Sequence, residues 1–99
     1  MQRREYDLKI TINGRNLKKL IIDPHYEAKH KGSVTDEVII ELVKQLDGGT
    51  YEPTSTGSDE FKYFVEDYIK HKEKFYKLIW ILHEDEIFIG VVNCYRRTK

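Results

Sequence analysis

Phe61-Lys62-Tyr63-Phe64-Val65-Glu66-Asp67-Tyr68-Ile69-Lys70 is followed by a charged break, Lys70-His71-Lys72-Glu73-Lys74, and then by Phe75-Tyr76-Lys77-Leu78-Ile79-Trp80-Ile81-Leu82. The reading of these residues decides the fold. Phe61, Phe64, Val65, Tyr68 and Ile69 fit a helix with Ser58 as its cap, but the aromatic and β-branched density, mirrored on either side of the break, favours two paired strands. The second run is too apolar for a surface helix and reads as a central strand. His83-Glu84-Asp85-Glu86 supplies the next turn and Ile87 to Tyr95 a last strand, which closes a three-stranded antiparallel meander. Ile87, Ile89, Val91 and Val92 are its expected core residues, so deleting this strand should unfold the domain.

Upstream, Tyr6, Leu8, Ile10 and Ile12 alternate with Asp7, Lys9 and Thr11, the period of a half-buried strand. Asn13-Gly14 tolerates the positive φ angles of a tight hairpin turn, so Asn16 to Asp23 returns as a second strand. Arg15, Lys18 and Lys19 then form a solvated edge that resists aggregation. Pro24 ends this strand. Ser33-Val34-Thr35-Asp36 has the layout of a capping box and predicts the start of a helix. Val34, Val38, Ile39, Leu42, Val43 and Leu46 form its apolar stripe, Glu37, Glu41, Lys44 and Gln45 its polar side, and Gly48-Gly49 its end. Asp36 and Glu37 complement the helix dipole. Thr50 to Asp59 reads as a loop. The predicted architecture is α+β, a single domain over residues 1–99, with an N-terminal β-hairpin, one main amphipathic helix and the C-terminal three-stranded meander, in the order ββαβββ.

Composition narrows the function. Seventeen Lys and Arg balance seventeen Asp and Glu, so nucleic-acid attraction has to come from local patches rather than from a whole-molecule field. Apolar runs stay far short of the ~20 residues of a membrane span, and no apolar signal core follows Met1, so no membrane partner is expected. Cys94 is the single cysteine, which excludes an internal disulfide and suits a reducing, cytoplasmic setting. Inside Val91-Val92-Asn93-Cys94-Tyr95 it reads as a buried small hydrophobe rather than a nucleophile.

Nucleotide hydrolysis has no support, because Gly48-Gly49 lacks the spacing and the following Lys-Ser or Lys-Thr of a phosphate loop. His25 and His30 are five positions apart, which is not the i,i+4 pair of helical zinc sites, so neither a metal nor another cofactor is expected. The densest chemistry is His25-Tyr26-Glu27-Ala28-Lys29-His30-Lys31. It reads either as a polar connector or as a site in which imidazole, titrating near neutrality, moves protons. The chain's end, Tyr95-Arg96-Arg97, adds a phenol and two guanidinium groups, and on a continuing strand the two arginines point to opposite faces. Only one of them can then serve a given site. Tyr51 and Tyr76 read as core residues before base-stacking rings.

The series His25, Lys29-His30, Ser33, Asp36 and an apolar helix, then Tyr76-Lys77-Leu78-Ile79-Trp80 and a terminal Gly90-Val91-Val92-Asn93-Cys94-Tyr95-Arg96-Arg97, resembles the barnase, EndoU, colicin and RelE-type group of small ribonuclease toxins over residues 25–97. The N-terminal hairpin and the neutral net charge depart from that group's pattern. The resemblance implies metal-independent RNA cleavage by attack of a ribose 2′-hydroxyl on the adjacent phosphate, with an acid protonating the leaving 5′-oxygen. It implies His30 as first choice for base or acid, His25 as second, Tyr95 as proton donor or stacking ring, and Arg96 as anion clamp. Lys29, Lys31, Ser33 and Arg97 would bind substrate. RNA and an inhibiting antitoxin or immunity protein are the partners so implied. Two other readings stay open. One is a non-catalytic interaction module, such as a β-grasp-like adaptor, antitoxin or immunity protein, taking a partner strand on a sheet edge. The other is an RNA-binding module without cleavage, resting on Lys18, Lys19, Lys70, Lys72, Lys74, Lys77 and the terminal arginines.

Overall fold

Alternation from Tyr6 produces β1 (Arg4–Ile12), in which Ile10 and Ile12 are buried and Tyr6 and Leu8 pack beside them. Asn13 at φ 53° and Gly14 at φ 76° make the turn, and β2 (Arg15–Ile22) returns antiparallel. The structure, a computed structural model describing residues 3–24, 34–56 and 60–97, continues with helix α1 (Asp36–Lys44) and the two-residue strand β3 (Ser55–Thr56). Three long strands complete it: β4 (Phe61–His71), β5 (Lys74–His83) and β6 (Phe88–Arg97). The strand reading of residues 61–70 therefore holds. Lys72 and Glu73, at φ 49° and 68°, carry the β4–β5 turn in a backbone region that favours glycine or asparagine.

The class is α+β and the long elements follow the order ββαβββ, but the meander is not a separate three-stranded sheet. All strands join one mixed sheet in the order β1-β2-β6-β5-β4-β3. The junction is a parallel pairing of Lys19–Ile22 in β2 with Phe88–Val91 in β6. Such a pairing needs a long crossover, here the whole segment from α1 to β5. Its consequence is that β2 is interior, so Arg15, Lys18 and Lys19 do not form a sheet edge. Arg15 instead donates to the carbonyls of His83 (2.8 Å) and Glu86 (2.6 Å). Ile87 is likewise no core residue: it is 49% exposed, and its carbonyl accepts from Lys18 N–H at 2.7 Å. The loop read over residues 50–59 contributes β3, paired with β4 at Tyr63 and Lys62.

Helix α1 is capped by Thr35, not Ser33. Thr35 is extended, at φ −125° and ψ 167°, and its Oγ1 accepts from Val38 N–H at 3.2 Å, which satisfies one of the free amides of the first turn. Ile39, Leu42 and Val43 of α1 join Leu17, Leu20, Ile22, Phe64, Leu78, Trp80, Ile89, Val91 and Cys94 in one core on one face of the sheet. Tyr76 is buried and Tyr51 packs against the same core, its ring edge-on to Trp80 at 5.5 Å.

Asp36 fastens helix to hairpin. Its carboxylate accepts from Arg4 Nη2 at 2.8 Å, from Arg4 Nε at 2.5 Å and from Tyr6 Oη at 2.5 Å, and the bond to Asp36 holds the Tyr6 hydroxyl above its ordinary pKa. Removing the carboxylate leaves Arg4 and Tyr6 without this shared acceptor. Asp36→Ala should therefore lower the unfolding free energy by about 2 kcal/mol, the scale of hydrogen bonds to charged groups. Urea denaturation checks this, and a loss below about 0.5 kcal/mol would mean that the cluster is decorative.

Candidate nucleic-acid interface

The sheet face opposite α1 carries the candidate site. Cross-strand partners share a face, so register places side chains in rows across β4, β5 and β6. Lys70, Phe75 and Arg97 form one row, and Val65, Ile79 and Asn93 another. Between them, a bulge in β4 sets Asp67 and Tyr68 together against Lys77, which pairs with Tyr95. A bulge of this kind re-aims side chains toward a site. Here it brings Tyr68, 55% exposed, within reach of β6.

The contacts follow from that placement. Arg97 Nη2 donates to Tyr68 Oη at 2.9 Å, and its guanidinium carbon lies 4.7 Å from the centre of the same ring. Lys77 Nζ is 5.8 Å from the Tyr95 ring centre and 3.7 Å from Asp67 Oδ1. Lys70 Nζ lies 6.0 Å from the Phe75 ring centre, and the Tyr68 and Phe75 rings meet edge to face at 6.4 Å. Three cations interleave with three aromatic rings, with one carboxylate among them. Each cation is held against a ring or a polar partner, so the row presents positive charge and π-faces in a fixed arrangement.

Tyr95 and Arg97, both singled out in the sequence, thus stand on one face. Arg96 does not join them: it pairs with the buried Tyr76 and is exposed on the α1 side of the sheet. The opposite-face expectation for the two arginines is met. His25, Lys29, His30, Lys31 and Ser33 lie outside the described residues. Of the rest of the row, Lys70 and Lys77 belong to the RNA-binding reading of the sequence, whereas Tyr68 and Phe75 are not singled out there as site residues. Strand alternation aligns Phe75 with Lys77 and Tyr68 with Lys70, but counted from the buried Phe64 it would put Tyr68 and Lys70 on the α1 side; the bulge at Asp67 and Tyr68, which no local motif announces, turns both to the open face.

Other titratable groups serve the core. Burial pushes the Cys94 thiol up to about 12, so it is protonated and inert at neutral pH. Glu66 sits across from Leu78 on the α1 side and is half-buried. Desolvation first, and the neighbouring Asp67 second, raise its carboxyl above 4.5. A raised acid favours the protonated form in the fold, so its contribution to stability is present below the unfolded-state value and is lost as pH climbs through the folded one. Glu66→Gln should accordingly raise Tm at pH 7 and leave it unchanged near pH 3.5; an equal gain at both pH values would assign the effect to something other than charge.

Among the described residues, no three His, Cys, Asp or Glu side chains gather as metal ligands, and no helix is long and apolar enough to cross a membrane. Comparison with protein-family models, curated proteins and solved structures returned no match to this chain.

Proposed function

We propose that this protein is a metal-independent endoribonuclease that takes single-stranded RNA across the open face of its sheet. The observation carrying the RNA-binding half of this reading is the row of Tyr68, Phe75 and Tyr95 interleaved with Lys70, Lys77 and Arg97, while its cleavage half rests on the resemblance to ribonuclease toxins. Aromatic faces stack unpaired bases while cations track the phosphates, the pattern of sequence-tolerant single-strand binding. It also explains how a chain of zero net charge attracts a polyanion, since the positive charge is local. In this reading Arg97 and Lys77 hold phosphate on that face, and Tyr95 stacks a base or donates a proton. His30, with His25 as second choice, transfers the protons of the 2′-hydroxyl attack, as the resemblance to ribonuclease toxins implies. Arg96, exposed on the other face, has the weaker claim to the clamp, while Lys29, Lys31 and Ser33 remain the proposed substrate contacts of the histidine segment. A cytoplasmic toxin restrained by an antitoxin or immunity protein is the setting that goes with this chemistry.

The binding half is tested by titrating salt against a labelled single-stranded oligoribonucleotide. Each phosphate contact should contribute about −0.7 to the slope of log K against log salt. Arg97→Ala and Lys77→Ala should each make the slope shallower by about that much, uniformly across sequences, whereas Arg96→Ala should leave it alone. Unchanged slopes in the first two would remove the row from RNA binding.

A second reading, a non-catalytic interaction module, draws on the apolar remainder of the same face, where Ile79, Ile81, Phe61 and Phe88 are only half-buried. A partner would then use the face rather than an edge strand. The outer edge of β1 carries charged Glu5, Asp7 and Lys9 with a bulge beside them, which blunts it. Its far end is covered where Thr11 bonds to Asp47 and Gly48.

A further inference from the structure

On the same face, a groove of about 310 Å³ opens over Gly90. Gly90 pairs with Ile81 on one side and Ile21 on the other. A Cβ added there would lie 2.9 Å from Ile81 Cγ1, so the glycine lets the Ile81 side chain lean across it and keeps the floor of the groove low. Phe61, Tyr63 and Phe88 supply aromatic walls. His83 buttresses them from behind: its ring is edge-on to Phe61 at 4.7 Å, tilted to Phe88 at 6.4 Å, and held by Asp85 N–H on Nδ1 at 3.2 Å. Arg3 and Asp23 stand at the mouth as a charged pair 3.9 Å apart.

We propose that this groove is a nucleobase subsite of the RNA-binding face, receiving one unstacked base of the strand whose phosphates lie along Lys77 and Arg97. The inference rests on the RNA reading given above. Size selects the occupant first: the volume sits at the bottom of the roughly 300–1,000 Å³ range of small-molecule sites, so a single ring system enters and a larger body does not. Chemistry selects it second, since aromatic walls take a flat π-face, while a guanidinium and a carboxylate at the mouth match the donor and acceptor edges of a base. Position selects it third. Ile81 lies four residues along β5 from Lys77, about 13 Å at strand rise, a span of about four stacked nucleotides or fewer splayed ones. The cationic row and the groove are thus continuous along one strand of RNA.

The test uses a labelled 2′-O-methyl oligonucleotide, which lacks the attacking hydroxyl and so survives binding measurements, with an abasic residue walked through every position. The wild type should show one position at which loss of the base weakens binding roughly tenfold, the scale of one stacked base. Phe61→Leu, which keeps apolar bulk but removes the ring, should erase that position-specific penalty; Tyr63→Leu serves the same purpose if Phe61→Leu fails to melt cooperatively. Lys77→Ala and Arg97→Ala should weaken binding overall and leave the penalty in place. An equal penalty at every position, or one that survives both aromatic substitutions while the cation variants still weaken binding, overturns the subsite and spares the reading of the face. No salt-dependent binding by the wild type overturns both. A concentration-dependent dimer that Phe61→Leu dissociates assigns the groove to a second copy of the chain, and overturns the subsite alone.

Discussion

Trp80→Ala is expected to lower the unfolding free energy by about 4 kcal/mol, the middle of the range for removing a large aromatic side chain from a core. Trp80 is fully buried, stacks on Phe64 with ring centres 4.1 Å apart and planes 10° from parallel, and receives the edge of Tyr51. It sits in β5, flanked by β4 through Phe64 and by β6 through Val91, so its loss opens a cavity between three strands and α1. Domains of this size are stable by only about 5–15 kcal/mol, which makes the variant marginal. Trp80→Phe should cost far less. It keeps a ring against Phe64 and removes an indole N–H that finds no acceptor among the described residues, a group expensive to bury unpaired. Trp80 is the single tryptophan, so the comparison needs far-UV circular dichroism rather than tryptophan fluorescence. Equal costs for both variants would mean that packing around the ring is not what holds the core.

The second large effect is on chemistry. His30→Ala should reduce RNA cleavage by roughly 10²–10⁴-fold, the usual contribution of a positioned general acid or base. His25→Ala should produce the smaller loss if His25 is only an auxiliary group, and an equal or greater one if the two histidines divide the acid and base roles. Both variants should bind the uncleavable oligonucleotide as the wild type does, because each keeps every substrate contact proposed above, Lys77 and Arg97 on the open face as well as Lys29, Lys31 and Ser33. A His30→Ala protein that cleaves at the wild-type rate would take the histidine segment out of the mechanism.

Much of this architecture is legible in the sequence for local reasons. Alternation in Tyr6 to Ile12, the Asn13-Gly14 turn and the apolar stripe from Val38 to Val43 each report on neighbours a few residues apart and match their elements, whereas the helix stops at Lys44, short of the expected end at Gly48-Gly49, and leaves Leu46 beyond it. The doubly apolar run through Trp80 is interior in the sheet, as its composition demands. What the sequence conceals is long-range pairing. Nothing near Lys19–Ile22 announces a parallel partner 69 residues away in Phe88–Val91, and without that pairing β2 looks like an edge. The cap at Thr35 was obscured because Ser33 offers the same chemistry two positions earlier, and only backbone conformation chooses between them. For the site, alternation correctly separates Arg96 from Arg97. It does not say which one meets other cations, because that depends on the β5–β6 register that sets Arg97 beside Phe75 and Tyr95 beside Lys77.

The most direct test of the central claim is incubation of the purified wild type and His30→Ala with total RNA in EDTA, followed by end-group analysis of the products. The account predicts wild-type cleavage to cyclic or 3′-phosphate ends, lost in a His30→Ala protein that remains folded. RNA left intact by the wild type, both as total RNA and when presented with ribosomes, would contradict it and leave the open face to RNA binding without cleavage or to a protein partner.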